Sequence, residues 1–129
     1  MKAKLKMTKE EFVTLNGMVR FAASIIVTDM ESTQRRDALE GLALRMMGAY
    51  RRLKGTTTLT LSDMETLALH TALKDDFFDS FPYERALAIR LLDDMERQRL
   101  AAESLRMGNL SAAAALKMGA PEPSKLLNP

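Results

Sequence analysis

Phe12-Val13-Thr14-Leu15-Asn16-Gly17-Met18-Val19-Arg20-Phe21-Ala22-Ala23-Ser24-Ile25-Ile26-Val27 decides the fold. Arg20 is the only charged residue in this stretch. At about 100° per residue, Phe12, Leu15, Val19, Ala22 and Ile26 make one helical face. Met18, Phe21 and Ile25 widen it, and Val13 and Val27 fall outside it. A helix apolar most of the way round must be covered on most sides. It is either the central helix of a small bundle or a helix with a partner. Its start is legible: Thr8-Lys9-Glu10-Glu11 is a capping box, in which Thr8 and Glu11 satisfy each other's backbone amides. The helix is expected to run to about Asp29.

Outward from it, three more helices are expected. Ser32 or Thr33 opens the second, which carries Ala38, Leu39, Leu42, Ala43, Met46, Tyr50 and Leu53 on one face. Gly55 closes it, behind Arg51, Arg52 and Lys54. Thr56 to Leu61 is strand-like, but a lone short strand has nothing to pair with, so it reads as an extended connection. Ser62-Asp63-Met64-Glu65 is a second capping box with Leu61 as its staple residue. The third helix is expected over Asp63 to Asp79, with Leu67, His70, Leu73 and Ala72 or Phe77 inward. Pro82 suits the first turn of a fourth, to about Met107 and Gly108, with Leu87, Leu91, Met95, Ala102 and Leu105 as its stripe. Asn109 or Ser111 caps a short Ala-rich helix closing at Gly119. The expected fold is therefore all-α: a compact bundle of four main helices plus a short C-terminal helix. Residues 1–119 make one domain and 120–129 an extended tail, in which Leu126 and Leu127 are apolar enough to dock on the body. No internal repeat stands out.

Composition bounds the function. A chain of 129 residues with 47% hydrophobic and 28% charged residues can bury a core as a single domain. Trp is absent and aromatics are 5%, so Leu, Met, Ala and Ile must build that core. The ten methionines fit gap-filling, and also permissive binding surfaces. The net charge of +2 is close to balanced. The absence of cysteine excludes disulfides, thiolate nucleophiles and Cys-bound metal. The Lys-rich start followed by Glu10, Glu11, Asn16 and Arg20 makes a poor signal peptide, and the apolar stretch is too short to span a bilayer. A cytoplasmic protein without a membrane partner is expected.

Asp75-Asp76-Phe77-Phe78-Asp79 fits the pattern DDxxD. On a helix Asp75 and Asp79 share a face beside Asp76, where three carboxylates can hold Mg²⁺. The run resembles the aspartate-rich motif of the isoprenyl-diphosphate and terpene synthases. The resemblance covers five residues and implies Mg²⁺ bridging a diphosphate. Asp93-Asp94-Met95-Glu96, the other acidic cluster, has a different pattern. The plainer account is that these aspartates end a helix and turn the chain toward Pro82. Against it, acids in a last helical turn oppose the macrodipole.

His70, the single histidine, lacks a metal-ligand spacing and reads as a half-buried packing residue. Arg35, Arg36, Arg45, Arg51, Arg52 and Lys54 flank both edges of the apolar stripe, the pattern of a solvated rim. A DNA-reading helix after Ser62 would meet Asp75, Asp76, Asp79 and Glu84, which repel phosphate, so a nucleic-acid partner is disfavoured. Arg90–Asp94, Asp93–Arg97 and Arg99–Glu103 are i,i+4 pairs that support a long helix. Ile89 and Leu92 lie off its stripe. There is no phosphate loop and no nucleophile elbow.

The sequence thus favours a non-enzymatic helical interaction module, self-associating as a homo-oligomer or serving as a subunit of a larger assembly. Met18, Phe21, Ile25, Ile89 and Leu92 are its interface candidates, and no cofactor is expected. The alternatives are a Mg²⁺-dependent phosphate or diphosphate site at Asp75, Asp76 and Asp79, and a nucleic-acid-binding accessory protein.

Overall fold

A computed structural model describes residues 2–25 and 29–117, with side chains except those of Asp76 and residues 110–117. The class is all-α. Among the described residues there are four helices: α1 (Lys9–Ala23), α2 (Met30–Ala49), α3 (Asp63–Leu73) and α4 (Pro82–Lys117). Two 3-10 turns, Tyr50–Arg52 and Asp76–Ser80, and two short strands, β1 (Lys4–Thr8) and β2 (Thr56–Thr60), complete the order. The chain divides into two compact units, Met1–Glu96 and Arg97–Pro129.

The strands correct the expectation of an extended connection. β2 pairs antiparallel with β1, with Leu5 opposite Leu59 and Thr8 opposite Thr56. β1 alternates strictly: Leu5 and Met7 are buried while Lys4, Lys6 and Thr8 are exposed, and Ala3 just before it is buried. Two lysines among its five residues lower its strand propensity, so the sequence gives Thr56–Thr60 no evident mate. The ladder extends one step further, from the Leu61 amide to Ala3 O at 2.9 Å. The buried Thr66 hydroxyl then accepts from the Ala3 amide at 3.1 Å and donates to Ser62 O at 2.8 Å.

Both capping boxes form, each with its two reciprocal bonds. α1 ends at Ala23, short of the expected Asp29, because the Asp29 carboxylate caps the next helix by accepting from the Ser32 amide at 2.8 Å. Ile26 and Val27 lie outside the described residues. α2 stops at Ala49, and Gly55 adopts a left-handed φ of 62° at the entry to β2. α3 ends at Leu73, six residues before the expected Asp79, and turns Thr66, Ala68, Leu69 and Leu73 inward. Leu67 is exposed, because Thr66 and Leu69 occupy the inward positions of the first turns while Leu73 keeps the expected one. α4 runs through Gly108 to Lys117, so the separate C-terminal helix merges with it. The alanines at 112–115 favour continuation, and an internal glycine costs only about 1 kcal/mol. Gly119 and the tail 120–129, Leu126 and Leu127 included, lie outside the described residues.

In the unit Met1–Glu96 one core gathers both strands and all four helices: Leu5, Met7, Leu15, Leu42, Met46, Leu61, Leu69, Leu91 and Met95 are its most enclosed large side chains. The polar Asn16 joins α1 to α2 through Ala43 O at 3.2 Å. In the unit from Arg97, Arg99 pairs with Glu103 at 2.8 Å, and Leu100, Leu105 and Met107 are exposed. Among the described residues no helix is long and apolar enough to cross a membrane.

Candidate interaction face

Four of the five phenylalanines meet at one end of the bundle. Phe21 projects from the last turn of α1. The other three come from the 3-10 turn after α3, and Asp75 fixes their directions. Its carboxylate accepts from the Phe77 amide at 2.9 Å, which makes it the cap of that turn. The Phe81 amide then donates to Phe78 O at 3.1 Å. The result is one ring inward and two outward: Phe78 is 4% exposed, whereas Phe77 and Phe81 are 42% and 43% exposed. Phe21, 38% exposed, stacks on Phe77 with centroids 3.9 Å apart and planes within 15°. Phe81 adds a tilted contact with Phe77 at 5.2 Å. Offset aromatic pairs gain about 0.5–1.5 kcal/mol beyond their area burial, so the outward rings hold one another in place.

Clefts open on both sides of this stack. One, of about 160 Å³, lies between Ile25, Leu39, Ala68 and Ala72, with Arg35 and Arg36 on its wall. The other, of about 280 Å³, runs along Val13, Gly17 and Met18 to Phe81 and Glu84. Arg35 is occupied locally, bonding Glu31 at 3.0 Å and the Ser32 hydroxyl at 3.0 Å, whereas the buried Arg36 Nε makes no hydrogen bond among the described residues. Arg36 lies 3.6 Å from Asp37 and 3.8 Å from Glu40.

The five interface candidates separate. Phe21 and Ile25 are exposed on the aromatic face. Met18 is 4% exposed and belongs to the core, with part of it lining the larger cleft. Ile89 is exposed on α4, and Leu92 is half-buried beside it. Together they line a third cleft of about 210 Å³ with Phe78, Asp79 and Arg85, on another side of the aromatic turn. Phe77 and Phe81 were missed as surface residues. Their signal is compositional: three of five phenylalanines fall within residues 77–81.

Of the aspartates, Asp75 is the cap just described. Asp79 is 4.0 Å from Arg85, both side chains being exposed. The side chain of Asp76 lies outside the described residues. Among the described residues no group of three or more His, Cys, Asp or Glu side chains is placed to hold a metal ion. The macrodipole conflict disappears, because α3 ends before Asp75 and a carboxylate at the start of the next turn is favourable. His70 is half-buried. Burial lowers its pKa, the nearby Lys74 charge lowers it further, and Glu96 opposes them.

No protein-family model, no curated protein and no solved structure matches this chain.

Proposed function

We propose that this chain is a non-enzymatic interaction module that self-associates through the face built on Phe21, Phe77 and Phe81. One observation carries the reading: the stacked Phe21–Phe77 pair stays in contact with solvent while the neighbouring Phe78 fills the core. A contiguous group of exposed aromatic side chains is a common mark of a docking surface. Aromatic rings are also the residues enriched at the centres of protein interfaces. The flanking clefts give a partner's apolar side chains somewhere to insert, and Ile25 extends the patch along α1.

Light scattering behind a sizing column, over a wide range of concentrations, tests this. The expected result is a molar mass that rises with concentration in the parent and stays at one chain in Phe77→Asp. The variant should keep its helical circular dichroism. A parent that remains a monomer throughout would end the self-association reading. Loss of folding in Phe77→Asp would mean that the ring is a core residue and would remove the argument.

A further inference from the structure

The two capping boxes are held in the same way, each by an arginine from a different part of the chain. Arg90 on α4 donates to Glu11 Oε2 through Nη2 at 2.6 Å and to Lys6 O through Nη1 at 3.2 Å. Arg45 on α2 donates to both Glu65 oxygens at 2.8 and 2.9 Å, and to Thr60 O at 3.0 Å. Lys6 and Thr60 each stand two residues before the cap, Thr8 or Ser62. The arginines themselves sit in matching segments: Leu42-Ala43-Leu44-Arg45-Met46-Met47 and Leu87-Ala88-Ile89-Arg90-Leu91-Leu92. Their burial follows suit. Leu42 and Leu87, Ala43 and Ala88, Met46 and Leu91 are buried, and Leu44 and Ile89 are exposed.

The match extends through both halves. Aligning Thr8 with Ser62 places Leu5 on Leu59, Met7 on Leu61, Leu15 on Leu69 and Val19 on Leu73, all buried. Leu5 and Leu59 also face each other in the antiparallel sheet. The strand register is symmetric about that pair, and Arg45 and Arg90 each reach from the half that carries it to the cap of the other. The spacing hides this in the sequence: the caps are 54 residues apart and the arginines 45, so no single period repeats.

We infer that the chain is a duplicated β-α-α unit closed on itself as a single-chain pseudo-dimer, and that a second copy of the chain can fill either half's place by exchanging units. β1, α1 and α2 form the first unit; β2, α3 and the part of α4 up to Glu96 form the second. The connector between them, Tyr50 to Gly55, is exposed except at Leu53, which packs against the core, so rerouting it displaces only that side chain. Exchange conserves every contact between the two units, because each unit meets the same surface on the other chain.

Charge reversal turns this into an experiment. One full-length variant carries Arg45→Glu and Arg90→Glu; the other carries Glu11→Arg and Glu65→Arg. Each alone has like charges at both clamps. In an exchanged pair made of one of each, all four clamps join opposite charges. After refolding from denaturant as a mixture, the expected product is a one-to-one complex of twice the single-chain mass, with an unfolding midpoint above that of either variant alone. The result is informative even if neither variant folds by itself. Absence of a complex, or a complex no more stable than the separate variants, overturns the inference.

Discussion

Arg90 Nη2 lies 2.6 Å from Glu11 Oε2, joining α4 to the cap of a helix 79 residues earlier in the chain. The same guanidinium reaches Lys6 O and, at 3.2 Å, Asp94. One side chain thus ties the middle of β1, the start of α1 and α4. Arg90→Met should keep the aliphatic stem but lose the bonds. Because the pair is partly exposed, the expected cost is about 1–2 kcal/mol. Urea unfolding of the variant should show a lower midpoint with an unchanged slope. A midpoint equal to the parent's would mean that the clamp contributes nothing to stability.

The two capping glutamates make the fold acid-sensitive. Burial raises the pKa of Glu11, but the Thr8 amide and Arg90 outweigh it and the net shift is downward. Glu65 follows the same pattern, with the Ser62 amide and Arg45 as the opposing partners. A carboxylate whose pKa is lower in the folded state adds stability above the unfolded value, here about 4.5, and that stability is lost as pH falls through the folded value. The parent should therefore weaken progressively below about pH 4.5. Glu11→Gln with Glu65→Gln should be less stable at neutral pH and show a flatter decline in acid. Parallel acid profiles for parent and variant would contradict this.

Among the described residues Thr66 is the one buried polar residue of the core, and its hydroxyl joins the start of β1 to α3. Thr66→Val preserves shape but leaves the Ala3 amide without an acceptor. A stranded buried donor costs about 1–3 kcal/mol. Thr66→Ser, which restores the hydroxyl and loses only a methyl group, should recover most of the loss. Equal stability of the Val and Ser variants would show that the bond is unimportant.

What the sequence made legible is what is encoded locally. Thr8 with Glu11, and Ser62 with Glu65, mark helix starts within four residues, and both boxes form. Of the stripe expected on α4, Leu87, Leu91 and Met95 are buried, while Ala102 and Leu105 are exposed. Lost were features that need distant partners. Lys4 to Thr8 becomes a strand only because Thr56–Thr60 lies beside it. Met18 and Phe21 share a helical face, and only the placement of the neighbouring elements buries one and leaves the other stacked on Phe77. Asp75 reads as a helical acid until α3 is seen to stop at Leu73.

His70 should add a second, milder pH dependence. Its folded pKa is lowered, first by burial and then by Lys74. As pH falls below the unfolded value of about 6.5, the unfolded chain takes up the proton first, so stability declines toward the folded value and is complete above 6.5. Comparing urea midpoints at about pH 7.5 and about pH 5.5 should show a drop in the parent that His70→Gln reduces. An identical drop in both proteins would assign it to other groups.

Phe77 and Phe78 are adjacent in sequence and differ tenfold in exposure, 42% against 4%. The contrast separates stability from association. Phe78→Ala empties a core position and should cost about 3 kcal/mol or more. Phe77→Ala removes a ring that touches Phe21 and Phe81 at the surface, so its cost should stay near 1 kcal/mol, the scale of an aromatic contact. Association should respond in the opposite order once stability is corrected for: Phe77→Ala should weaken it at a concentration where both proteins are fully folded. Chemical unfolding and light scattering on the same two variants give both readings. If Phe77→Ala proves as destabilising as Phe78→Ala, the stacked pair is part of the core and the face proposed for self-association does not exist.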